Sequence, residues 1–262
     1  MKPSLGLLLL AFLHVPLIAH AQSDEELAKK LSNPVANLVS VPFQLNYDEG
    51  FGPKDAGRYT LNVQPVVPFS LGEDWNLITR TILPIIYQES PASGMDSEFG
   101  LGDTTQSFFF SPKAPVGGWI VGAGPAFLWP TATDTALGSE KWGAGPTFVG
   151  LRQEGPWTYG LLANHIWSYA GDSDRSEVNS TFLQPFLSYT TKSATTYLLN
   201  TESSYDWTGE QWTVPINAGV SQLLKIGTQA AQVGLIGRYY AESPDGGPEW
   251  GVRLVLTLLF PE

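Results

Sequence analysis

Between Leu38 and Phe260 apolar and polar residues alternate, and the pattern returns about twelve times. In the first segment Val39, Val41, Phe43, Leu45 and Tyr47 share one parity, while Ser40, Gln44 and Asn46 hold the other. Tyr59, Leu61, Val63, Val67 and Phe69 oppose Thr60, Asn62 and Gln64 in the second. In the last, Val252, Leu254, Leu256, Leu258 and Phe260 oppose Arg253 and Thr257. Side chains of a strand point to opposite faces with period two, so each segment has a greasy face and a wetter one. The strands are expected near 38–47, 58–69, 75–88, 101–111, 119–130, 141–153, 157–169, 178–190, 195–205, 211–222, 230–242 and 250–260. Most exceed the ~5–6 residues of a soluble strand and suit the ~9–11 of a tilted membrane strand.

After Ala21 no stretch approaches the ~20 apolar residues of a membrane helix. In lipid only helices and closed barrels satisfy their backbone groups, so the chain is either an exported soluble β-protein or a membrane barrel. The tryptophans favour the barrel. Trp75, Trp119, Trp142, Trp157, Trp212 and Trp250 fall at expected strand starts, and Trp129, Trp167 and Trp207 at or just past strand ends. Two interfacial girdles place them so, whereas a soluble core would favour mid-strand positions. Longer connections at 48–57, 89–100, 131–140 and 170–177 alternate with shorter ones, as outer loops alternate with periplasmic turns. The expected fold is therefore an all-β, antiparallel transmembrane barrel of about twelve strands with a short N-terminal helix.

The chain starts as secretory chains do. Lys2 precedes an apolar stretch from Leu5 to Ile18, and Ala19-His20-Ala21 fits a cleavage site. Residues 1–21 are thus expected to be a signal peptide, 22–37 an N-terminal helical segment and 38–262 the barrel. Ser23 can cap a helix over Ser23–Leu31, with acids in its first turn and lysines in its last, and Asn33-Pro34 ends it. Its polarity favours a segment loose in the periplasm over one that plugs the lumen. Pro65, Pro84, Pro125, Pro146, Pro185 and Pro215 fall inside expected strands, where each requires a bulge or kink.

Chemistry is sparse. A net charge of -11 argues against a nucleic-acid partner. Cysteine is absent, which removes disulfides, thiolate nucleophiles and Cys-based metal sites. His165 is the one histidine left after the signal, so no metal site, cofactor or catalytic residue is assigned. Its spacing of three to Ser168 puts the two on opposite faces of a strand. Gly122-Ala123-Gly124-Pro125 and Gly143-Ala144-Gly145-Pro146 lack the helix that a phosphate loop needs and read as close approaches within strands.

Charges inside strands carry more information. A charge on the lipid face costs ~2–4 kcal/mol at mid-membrane. Arg80, Glu202, Arg238 and Arg253 are therefore expected in the lumen with Gln184 and Asn200, and Phe182 and Phe186 share a face with Gln184. Arg238 falls beside Gln232 and Glu242, with Arg253 on the next strand. The two cations repel unless Glu202, Asp103 or an anionic solute neutralises them.

Several strings carry a resemblance. They are Glu26–Ala36, Val41–Gln44 with Asn46-Tyr47, Gly100–Asp103 running into Gln106–Pro112, Pro130–Asp134, Phe182–Phe186 and Ala241–Pro244. Over nearly the whole mature chain this resembles the outer-membrane barrel transporters of the phenol-degradation meta-pathway type, often mislabelled neuromedin U. The resemblance implies a monomeric barrel of the Gram-negative outer membrane that takes up small aromatic or hydrophobic solutes and is not an enzyme. Its expected partners are outer-membrane lipid and lipopolysaccharide, the barrel-assembly machinery and a small-molecule solute. The alternatives are an outer-membrane lipid hydrolase and a structural barrel whose acidic loops bind cations.

Overall fold

The computed structural model describes residues 23–227 and 229–260, so the expected signal peptide lies outside the described residues. Fifteen strands form one sheet. They are β1 (Val39–Phe51), β2 (Ala56–Val63), β3 (Val66–Leu71), β4 (Trp75–Gln88), β5 (Glu98–Leu101), β6 (Thr104–Pro112), β7 (Ile120–Trp129), β8 (Lys141–Glu154), β9 (Trp157–Gly171), β10 (Asn179–Thr190), β11 (Thr195–Thr201), β12 (Ser203–Asp206), β13 (Gln211–Ile226), β14 (Gln229–Glu242) and β15 (Trp250–Phe260). β2 and β3 pair with the same neighbours, as do β11 and β12; β5 and β6 share β4. Each of these couples is one interrupted stave, which makes twelve. Every stave is antiparallel to the next, and β15 closes the ring on β1 from Val39↔Phe260 to Glu49↔Trp250. A closed barrel leaves no free sheet edge.

The expected parities hold along the wall. On β1 Ser40, Asn46 and Asp48 are buried while Leu45 is exposed; on β15 Arg253 and Thr257 are buried while Leu254 and Phe260 are exposed. Eight of the nine tryptophans, all but Trp129, are exposed. They stand at the two rims, with Trp75, Trp119 and Trp157 beside the short turns and the others at the loop end. Between the rims the exterior presents Phe110, Phe148, Leu161, Leu199, Leu235 and Leu254. Such an apolar band between aromatic rims is the surface that lipid covers.

The prolines sit where the ladders break. Pro65 separates β2 from β3, and Pro215 lies at the register shift in the β13–β14 ladder. Pro84 faces the β5–β6 interruption, where its carbonyl accepts from Gly102 N. Pro125 and Pro146 pair with each other across β7 and β8, and each faces a gap in its other ladder. Beside them, a Cβ at Gly124 would collide with the Phe108 carbonyl oxygen, and one at Gly145 with that of His165. Glycine before each proline thus lets the neighbouring backbone close in where a donor is missing.

The N-terminal segment overturns one expectation. Helix α1 (Asp24–Leu31) has the expected Ser23 cap, closed as a box with Glu26. It is not loose. Leu27 and Ala28 are buried in a cluster with Ala36, Leu38, Ala194, Leu223, Ala230 and Leu259. Leu223, Ala230 and Leu259 carry interior parity near the short-turn end of their staves, so α1 seats inside that mouth. Gln153 Nε2 donates to the Lys29 carbonyl at 2.8 Å, and Lys225 Nζ lies 3.0 Å from Asp24 Oδ1. Beyond the helix, Val35 joins Ile78, Phe109, Val149, Leu151 and Leu162 in a second buried cluster. Polarity misled because α1 needs only a narrow apolar face: fully burying one leucine contributes ~1.5–3 kcal/mol.

Candidate functional site

Above the docked segment the interior turns polar. β11 and β12 are interrupted at Glu202, which faces Arg253 on β15 with two parallel hydrogen bonds, Nη1 to Oε1 and Nη2 to Oε2, both 2.7 Å. Two-point pairing of this kind fixes orientation as well as charge. Arg253 Nε donates to Asn46 Oδ1 at 2.6 Å, and Arg238 Nη1 donates to the same oxygen at 2.5 Å. The expected proximity of the two guanidiniums is therefore real, and a single amide oxygen bridges them. Asn46 is held in turn by donating from Nδ2 to the carbonyls of Gln44 and Thr60.

Arg238 has its own counter-charge. Its Nε lies 3.3 Å from Asp48 Oδ1, and Tyr240 Oη donates to that oxygen while accepting from Arg238 Nη2. Of the neutralisers expected from sequence, Glu202 serves Arg253 and Asp103 serves neither arginine. Asp103 instead accepts from Ala132 N at 3.2 Å and from Ser139 N and Oγ at 2.6 Å each, which pins the 130–140 loop at the barrel rim. Glu242 is exposed and makes no ion pair among the described residues. Asp48 and Tyr240 are the partners that sequence reading missed. β1 runs past its expected end at 47, which brings Asp48 onto the interior face with Asn46. Tyr240 was legible in principle, since it shares parity with Arg238 on β14.

Arg80, Gln184, Phe186, Asn200, Glu202 and Arg253 line one cavity of about 240 Å³. The docked segment from Lys30 to Ala36 supplies its floor. Arg80 Nη2 donates to Gln64 Oε1 at 3.2 Å, Gln64 Nε2 donates to Gln44 Oε1, and Asn217 Nδ2 donates to Asn200 Oδ1 at 2.8 Å. Phe182 and Arg238 lie off this cavity: Phe182 packs, as Phe186 also does, against the apolar cluster around Phe109. Part of the lumen is thus apolar, as the shared face of Phe182 and Phe186 leads one to expect, but the cluster around Phe109 is not legible in the alternation. Where both faces of a strand are apolar, as in Phe108-Phe109-Phe110, period two vanishes.

His165 stands elsewhere. It carries exterior parity with Trp167, its Nδ1 lies 2.7 Å from Thr181 Oγ1, and its ring centre is 4.0 Å from that of Trp167. Trp207 Nε1 also donates to Thr181 Oγ1, at 2.8 Å. Ser168 turns to the other face, as expected, where it donates to Glu177. Hydrogen bonds from Ser168 and Lys141 hold the Glu177 carboxyl below the usual glutamate range.

No family model matches the chain, and no curated protein matches it. Among solved structures the fold is similar to an outer membrane channel from Pseudomonas putida F1, at 16% identity over 85% of this chain and 94% of that chain, with a TM-score of 0.66. A looser likeness, with a TM-score of 0.48 at 13% identity, is to outer membrane phospholipase A from Escherichia coli over 92% of this chain and 99% of that one. At these identities the likeness concerns the fold: this chain has the closed antiparallel barrel of Gram-negative outer-membrane proteins.

Proposed function

We propose that the protein is a monomeric outer-membrane channel through which small solutes, among them aromatic or hydrophobic ones, pass passively into the periplasm. The observation that carries this reading is the cavity at mid-barrel, where Arg80, Gln184, Asn200 and Glu202 border open space among apolar side chains. A barrel that served only as a membrane scaffold gains nothing from leaving such groups unpacked. The reading places the termini and short turns in the periplasm and the long loops outside. The similar channel of Pseudomonas putida supports it at the level of the fold, and the motif resemblance supports the transporter type of the phenol-degradation meta-pathway. Lipopolysaccharide at the outer rim and the barrel-assembly machinery belong to the same reading.

The hydrolase alternative lacks a serine beside His165 among the described residues, since His165 meets Thr181 and two tryptophans on the exterior while Ser168 points inward. The scaffold alternative has the Arg253–Glu202 and Arg238–Asp48 pairs in its favour. Liposome swelling separates the readings. Vesicles holding the folded protein should swell faster than protein-free vesicles in iso-osmotic small solutes. Equal rates for every solute would favour the scaffold.

A further inference from the structure

The chain has 14 basic against 25 acidic residues, yet the cavity at mid-barrel reverses that balance. Its charged lining is Lys30, Arg80 and Arg253 against one carboxylate, Glu202. Glu202 is already taken by both forks of Arg253. Neither Lys30 nor Arg80 has a carboxylate within 4.0 Å among the described residues. The one hydrogen bond Arg80 makes there, to Gln64, leaves its remaining donors without a protein acceptor. The hydroxyl of Ser188, on the same lining, is buried with no partner among the described residues. Apolar side chains are interleaved with them: Val66 pairs with Arg80 across β3 and β4, and Ile236 with Arg253 across β14 and β15, while Phe186 on β10 and Leu198 on β11 stand across the ring from β4.

A low-dielectric cavity that sets surplus cationic donors among hydrocarbon selects for an anion with an apolar body. The volume, about 240 Å³, is below the ~300–1,000 Å³ of sites for drug-sized ligands. We propose that this cavity is a binding site for a small organic monocarboxylate with an apolar body, whose carboxylate pairs with Arg80. Lys30 adds long-range attraction from the docked segment, and Phe186 with Ile236 covers the apolar body. The proposal rests on the channel reading and narrows its substrate class: such a site delays the matching anion inside the lumen, so the substrate doubles as a blocker of small-ion current.

Benzoate, acetate and benzyl alcohol test this on the purified full-length barrel in planar bilayers with potassium chloride. Benzoate should reduce the chloride-borne current at concentrations at least about tenfold below those needed for acetate, which lacks the apolar body, or benzyl alcohol, which lacks the charge. Arg80→Gln should raise the half-blocking concentration of benzoate by about tenfold or more, and Arg80→Lys should restore most of the block. Heat-modifiable gel migration shows that each variant is folded. Equal potency of benzoate and benzyl alcohol, or unchanged block in folded Arg80→Gln, would overturn the anion site while leaving the channel standing. Absence of any current from the folded protein would instead sink the channel. In that event calorimetric titration of the same three compounds into detergent-held wild type and Arg80→Gln still decides the anion site by the same comparison.

Discussion

Arg253 holds Glu202 through two hydrogen bonds of 2.7 Å across the lumen wall, and its third contact, to Asn46, ties it to Arg238. The pair leaves little of either side chain accessible, 5% and 20%. Removing one partner of such a pair leaves an unmatched buried charge. Glu202→Gln should therefore destabilise the barrel by ~3 kcal/mol, toward the low end for buried pairs because Glu202 keeps some access to the lumen. Urea unfolding in detergent, read by tryptophan fluorescence, measures it. The double variant Glu202→Gln with Arg253→Gln should recover a good part of the loss, since no orphan charge remains.

Selectivity separates matched cations from unmatched ones. The charge-balanced double variant at residues 202 and 253 leaves the net lumen charge as it was, so its reversal potential in a salt gradient should stay near wild type. Arg80→Gln removes a cation with no carboxylate partner and should shift the preference toward cations. Arg238→Gln with Arg253→Gln strips two cations and leaves Asp48 and Glu202 behind. It should shift selectivity in the same direction and lower stability as well.

Conductance should answer to the N-terminal segment. Leu27 lies in the apolar cluster that seats α1 in the barrel mouth. Leu27→Asp removes ~1.5–3 kcal/mol of burial and adds a carboxylate against hydrocarbon, so the helix should detach while the barrel stays closed. Single-channel conductance should rise, with gel migration still that of a folded barrel. Removing the exposed Asp24–Lys225 pair should do far less, because exposed ion pairs contribute ~0–1 kcal/mol.

His165→Ala should leave assembly and conductance nearly unchanged, since the ring meets Thr181 and two tryptophans on the exterior. An esterase or lipase activity present in wild type and lost in this variant would restore the hydrolase reading.

Much of the barrel was legible because alternation is a local property. Each of the twelve staves overlaps its expected segment, and the rim positions of the tryptophans followed from strand length alone. What stayed hidden depends on depth and on partners distant in sequence. Parity put Arg253 and Arg238 inside, but only the closed ring brings them to Asn46, about two hundred residues earlier in the chain. Asp48 was lost to a strand end drawn four residues early, and the seat of α1 was lost because its partners come from three separate turns and strand ends. The prolines read as conflicts until the ladder gaps around Pro125 and Pro146 gave them a place.

The account stands on a conducting lumen. The full-length protein, refolded to the compact form that migrates fast on an unheated denaturing gel, should open discrete channels in planar bilayers and prefer anions mildly. Folded protein that yields no current would contradict it.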